Sequence, residues 1–429
     1  MRNRGSISPG SVSEMSNVSL IDGGVTAPNG FSSSGIHCGV KHRRKDLALL
    51  FSSSECSAAA LYTTNRAKAA PLMVTQSHLT DGRANGAVIS SGYANALTGE
   101  RGLRDAEEMA RVAGKVLGCD PRSIVVATTG VIGEYLPMDK IVGGIEKAGG
   151  ALGTTKKHAR DSALAIMTTD TVPKMAAASV ALADGTKVTL GGMAKGSGMI
   201  SPELKKSHAT MLCFITTDAA ASPKALELML ASAADETLNM LNVDGDRSTN
   251  DMCVIFANGA ANNSKIADCD PIFLEALKTL LQSLTKQLAR DGEGAKKMIE
   301  AKIIGAGNLK EARVAARAVV MSNLVKAAVF GEDPNFGRII SAIGASGAEL
   351  NLAKIELRLV SEYGIAELMS KGELVALVGN RTYARARQLL KSNQITIEVD
   401  LGTGGNAEAT AWGCDLTYDY VKINAEYTT

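Results

Sequence analysis

Ala209-Thr210 joins a small residue to a hydroxyl one. A small residue lets the backbone strain. A threonine hydroxyl can then attack the preceding carbonyl, cut the chain and leave a new N-terminal Thr210. A glycine-punctuated loop from Lys195 leads into the dipeptide, and the run Met211–Thr217 after it is β-prone. Alone, Ala209-Thr210 is also the ordinary entrance to a buried strand. A second candidate is Thr128-Thr129-Gly130, which ends the apolar run from Ser123. Such an end can offer a hydroxyl and a backbone N–H to one point, as an oxyanion hole does; it is also how a plain strand stops. Lys195, beside Gly196, could hold a carboxylate or sit solvated in its loop.

Other chemistries lack their residues. The five histidines (37, 42, 78, 158 and 208) form no metal-binding pair, and no CxxC occurs among seven cysteines, so neither a metal nor a disulfide framework is expected. The odd, scattered cysteines fit a reducing, cytoplasmic setting. No GxxxxGK[ST] or GxSxG is present, and Gly305-Ala306-Gly307 lacks the third glycine of a dinucleotide loop. No cofactor is expected. Formal net charge is +2, from 46 basic and 44 acidic residues, which argues against nucleic-acid or membrane partners. The basic run Lys41–Lys45 reads as a solvated loop. Residues 1–20 read as a disordered tail, with Met15 an alternative start.

The elements that must position these groups follow from periodicity and punctuation. Strands are expected at Leu47–Phe51 and Ala58–Thr63, split by serines, with no helix before residue 75. Residues 85–99 read as a strand running into a polar glycine loop; a helix with Leu103, Met109, Val112 and Val116 on one face follows, and then a strand over 123–130. Helices at 139–148 and 157–166 precede a hairpin over 176–193, its turn at Asp184-Gly185. Ser222-Pro223 starts a helix running to about Asn242. Cys253–Ala257 is a buried strand, and Pro271 opens a leucine-faced helix that stops at Asp291–Gly294. Then come a strand at Lys302–Ile304, one long helix over 310–329 and a short one over 337–344. Strands are expected near 354–360, 374–378 and 395–400, and two more across Glu408–Thr429. The mixture lacks strict βαβ alternation, which favours α+β.

Ordered stretches across almost the whole chain resemble the self-cleaving ornithine acetyltransferase family, the glutamate N-acetyltransferases of the arginine pathway. They are Gly23–Phe31, Ala127–Gly133 with Leu136–Asp139, Met167–Thr171, Lys195–Pro202, Ala209–Leu212, Phe214–Asp218, Ser248–Asp251, Gly331–Arg338 and Ala411–Ala425. The resemblance implies cleavage between Ala209 and Thr210, with Thr210 the catalytic nucleophile. It implies Thr129 and Gly130 as the oxyanion hole. It implies Thr169, Lys195, Thr210, Glu293, Asn424 and Thr429 as substrate-binding residues, with Thr168 and Thr171 beside Thr169 as alternatives.

The implied reaction moves acetyl from N2-acetylornithine to glutamate through an acetyl-Thr210 intermediate. Acetyl-CoA is a second possible donor. The implied fold is a layered α/β sandwich of the N-terminal-nucleophile type with a smaller C-terminal α/β unit at about 300–390. Cleavage would give an alpha chain (21–209) and a beta chain (210–429), assembled as α2β2. One departure stands out: the loop Glu203–His208 is longer than the family pattern by about the length of Leu204–Ser207. A self-cleaving amidohydrolase or aminopeptidase with the same nucleophile is the alternative activity. An uncut ligand-binding scaffold is the non-enzymatic one.

Overall fold

The computed structural model describes residues 18–203 and 211–426. Ala209, Thr210 and Thr429 lie outside the described residues, as does most of the expected tail; its end, Ser19–Ile21, is an edge strand. Among the described residues the first sheet has nine strands. Their order is Ser19–Ile21, Lys174–Ala181, Lys187–Lys195, Leu212–Thr217, Met252–Ala257, Leu47–Tyr62, Arg83–Tyr93 and Ile124–Val131, with Phe31–Ile36 also on Leu47–Tyr62.

Leu47–Tyr62 corrects the expectation of two strands. It is continuous through the serines, and its register on Arg83–Tyr93 shifts between Phe51 and Cys56. Such an irregularity bends a strand, and here it divides the sheet into two leaves. Residues 47–51 pair with 86–90, while 57–62 pair with 252–257. Alternating side chains then sort into layers. Val125 and Ala127 of one leaf share a core with Phe214, Val254 and Phe256 of the other. Ile124 and Val126 instead face Met109, Val112 and Ile145 of the helices Gly99–Leu117 and Met138–Gly150. Cys253 and Ile255 face Leu226, Leu230, Leu277 and Leu281 of the helices Pro223–Glu236 and Pro271–Arg290. The result is helix, leaf, leaf, helix, the mixed α+β sandwich that the resemblance implied.

The second sheet has seven strands among the described residues. Their order is Glu373–Leu374, Gly364–Ser370, Glu356–Ser361, Gln394–Asp400, Met298–Ala306, Ala407–Cys414 and Leu241–Asn242. Its core, including Ile299, Ile397 and Trp412, merges with that of the outer helices.

Tertiary demands explain the other corrections. The helix from Pro223 ends at Glu236, because Thr237 turns its hydroxyl back onto Ala233 O at 2.6 Å and Leu241–Asn242 pairs with the second sheet. The long helix is two, Leu309–Met321 and Asn323–Phe330, broken where Ser322 caps the second. The Gly364–Ser370 strand and the helices Ala70–His78 and Arg381–Leu389 are additions. Only Glu373–Leu374 of the expected 374–378 strand is extended in the sheet. The expected last strand is the helix Tyr418–Ala425, capped by Thr417.

Candidate active site

Lys195 ends its strand opposite Leu212, the first residue of the next. Met252 pairs with the same Leu212 from the other side. The two strands and the loop before Met252 therefore open at one end of their leaf. Thr129 and Gly130, at the end of the Ile124–Val131 strand, meet them from the opposite leaf. Between the leaves lies a cavity of about 170 Å3.

Its walls bring together six of the residues implied by the resemblance: Thr129, Gly130, Thr169, Lys195, Glu293 and Asn424. Thr168 lines it too, whereas Thr171 is engaged elsewhere, its N–H 3.0 Å from Asp291 Oδ2 and its hydroxyl on Asp291 Oδ1. Met211 and Leu212 also line the cavity, so the chain just after Thr210 passes through the site.

Gly130 has φ +135°, and a Cβ there would sit 2.2 Å from the carbonyl carbon of Gly92, its cross-strand partner. No other residue fits. Gly198 is tight for a different reason: a Cβ would lie 2.3 Å from the Glu293 carboxylate. Glu293 is anchored by its N–H on Ser197 O at 2.9 Å. Its Oε2 accepts from Asn424 Nδ2 at 2.8 Å. The Tyr418–Ala425 helix buries no residue of its own; it is tied to the rim through Asn424 and through Thr417 Oγ1 on Gly294 O at 2.8 Å.

The Lys195 ammonium donates to Thr129 Oγ1 at 3.0 Å and is 8% exposed. Burial pushes its pKa down, the Asp170 and Asp251 carboxylates pull it back up, and the net value stays below an ordinary lysine's. A substrate carboxylate in the cavity would meet a cation short of solvent.

Behind Lys195 stands a buried ionic group that no single stretch of sequence announced. Lys174, fully buried, bonds both Asp170 and Asp291. Asp170 also accepts from Thr168 N at 2.9 Å and Gly196 N at 2.7 Å. One carboxylate thus fixes the Thr168 and Lys195 sides of the cavity together. Burial alone would raise the Asp170 pKa, but Lys174 and Lys195 outweigh it and hold it at about 2. That is below the value of about 3.9 in an unfolded chain. The contribution to stability is therefore full above about pH 4 and is lost as pH falls through about 2. Lys174→Met should cost about 3–5 kcal/mol, because it leaves two buried carboxylates facing each other without their cation. Urea unfolding at pH 7 measures it; a loss under about 1 kcal/mol would show the triad to be dispensable.

The ArgJ family model matches residues 32–429. The chain is 49% identical over 413 residues to the arginine biosynthesis bifunctional protein ArgJ of Symbiobacterium thermophilum, covering 95% of this chain and 99% of that one. It is 44% identical over 413 residues to the protein of that name from Bacillus subtilis, covering 95% and 97%. A solved ornithine acetyltransferase from Mycobacterium tuberculosis, in complex with ornithine, is 37% identical over 44% of this chain and 100% of that chain, with a TM-score of 0.41.

Proposed function

The chain belongs to the ArgJ family, and from that premise we propose how its cavity works. The protein is an enzyme of arginine biosynthesis that moves acetyl from N2-acetylornithine to glutamate. In our reading Thr210 cuts the chain after Ala209 and then uses its own new amine as base. An N-terminal amine has a pKa of about 7.7–8.0, so near neutrality an appreciable fraction is free to take the hydroxyl proton.

Thr210 Oγ1 attacks the acetyl carbonyl, and Thr129 and Gly130 donate to the oxygen that becomes negative. The tetrahedral intermediate collapses, the C–N bond breaks, and ornithine leaves with the proton returned by the amine. The glutamate α-amine then attacks the acetyl ester and regenerates Thr210. Lys195 holds the α-carboxylate common to both substrates. Thr169, Glu293, Asn424 and Thr429 receive the rest of either molecule. The observation that carries this reading is the convergence of Lys195, Thr129-Gly130 and Glu293 from three separate segments onto the cavity beside Met211.

The two fragments stay joined after the cut. The Lys187–Lys195 strand pairs with Leu212–Thr217, and Leu47–Tyr62 with Met252–Ala257, across the two sides of residue 209. We extend this to an α2β2 assembly in the cytoplasm. The same acetyl-Thr210 would accept acetyl from acetyl-CoA, which fits the word bifunctional in the relatives' names.

Intact-mass spectrometry tests the reading. Mixing with N2-acetylornithine should add one acetyl group to the fragment that starts at Thr210, and glutamate should remove it. An adduct confined to the other fragment would overturn the nucleophile assignment. Acetate release that ignores glutamate would favour a hydrolase.

A further inference from the structure

The oxyanion strand and the nucleophile strand lie in different leaves, and between them runs an apolar layer that includes Ala127, Phe214 and Val254. Apolar packing is not directional and does not by itself dictate the exact offset of the two leaves at this end. Transfer chemistry needs its groups held within about 0.5 Å. Something at the catalytic end must set the distance.

Asn250 stands there. It is 5% exposed. Its amide nitrogen donates to Thr128 O at 2.8 Å and also to Ala94 O, using both of its hydrogens. Its carbonyl oxygen accepts from Thr249 Oγ1 at 2.6 Å. Thr128 Oγ1 adds a bond to the same Ala94 O at 2.6 Å. Two residues on, the Met252 N–H donates to Met211 O at 2.6 Å. Three consecutive residues thus hold the peptide before Thr129 at one end and the residue after Thr210 at the other. The first bond fixes the plane of the 128–129 peptide, since a carbonyl and the next N–H are coplanar.

We propose that Asn250 is a positioning residue for acetyl transfer: a strut across the two leaves that sets where the oxyanion donors stand relative to the nucleophile. The inference rests on reading Thr210 as nucleophile and Thr129-Gly130 as oxyanion hole. Asn250 itself need not touch substrate.

The test is Asn250→Asp, which turns an oxygen toward two carbonyls, with Asn250→Ala as the milder variant. Single-turnover acetylation of the Thr210 fragment should slow on the order of 100-fold while KM for N2-acetylornithine moves less than about threefold, as a misplacement near 1 Å predicts. Asn242→Ala is the control. Asn242 is another buried asparagine with one carbonyl clamp, on Val320 O at 3.0 Å, and does not line the cavity; its loss should lower the unfolding midpoint and leave acetylation unchanged. An Asn250 variant that keeps its midpoint but stays uncut also supports the strut, because the hydroxyl that cuts is the one that transfers. Wild-type acetylation rates in both Asn250 variants, or a slowing matched by the Asn242 control, would overturn it. A wild-type protein that forms no acetyl adduct would sink the nucleophile reading, and the strut with it.

Discussion

Thr210→Ala should run as a single full-length band on a denaturing gel, where the wild type should give two fragments of similar size. It should also lose transfer by a factor on the order of 10⁶, the scale seen when a covalent nucleophile is removed. Under the proposed mechanism both losses follow from one hydroxyl serving two attacks, first on the Ala209 carbonyl and then on the acetyl group. Among the described residues that line the cavity there is no histidine or cysteine to stand in as base or nucleophile. Of the four described histidines, at 37, 42, 78 and 158, none lines the cavity. Lys195 is committed to Thr129. Thr210→Ser should retain cleavage and part of the transfer, because it keeps the oxygen and the new amine. Two fragments from Thr210→Ala would end the self-cleavage reading. A cut but inactive Thr210→Ser would separate the two roles.

How far the sequence reached depended on whether a feature is local. Thr129-Gly130 could be singled out because a strand end and the need for glycine are written in adjacent letters, and Gly130 does adopt the positive φ that only glycine takes easily. Pro271–Arg290 is legible from its leucine spacing, its opening proline and the Asp291–Gly294 stop. The bend in Leu47–Tyr62 was not, because Ser52–Ser54 read as a loop and only the partner strands reveal that they continue the ladder. Ser322 breaks a helix whose apolar pattern runs straight through it. The Tyr418–Ala425 helix buries none of its own residues, so it has no amphipathic stripe to read.

Within the site the contrast is the same. Resemblance supplied Lys195, Glu293 and Asn424 by position. It could not say that Asn424 bonds Glu293, or that Asp170, Lys174 and Asp291 come together from positions as far apart as 170 and 291. In the sequence Ser248–Asp251 is a matched stretch with no implied role, and Met167–Thr171 carries only the substrate-binding role of Thr169 or its neighbours. Their roles are relational and exist only once the leaves are stacked.

The oxyanion strand gives the second large effect. Thr129→Val keeps the side-chain shape and removes the hydroxyl. It should lower kcat by about 10²–10³-fold, equivalent to about 2.7–4 kcal/mol of barrier, with KM little changed, because the donor acts on charge that exists only in the transition state. The substitution also strips Lys195 of its acceptor at 3.0 Å. Some rise in KM would therefore signal that Lys195 has moved, and Thr129→Ser should restore both constants. Gly130→Ala should be more damaging still. Its Cβ would stand 2.2 Å from the Gly92 carbonyl carbon and 2.7 Å from Tyr93 N, backbone atoms that cannot swing aside. The strand end must shift, carrying the Gly130 N–H away from the developing charge. Steady-state kinetics beside thermal unfolding tells chemistry from collapse. In Thr129→Val the unfolding midpoint should hold while kcat falls; in Gly130→Ala both should fall. A Thr129→Val enzyme within about twofold of wild type would remove the hydroxyl from the oxyanion hole and leave backbone N–H groups alone to hold the charge.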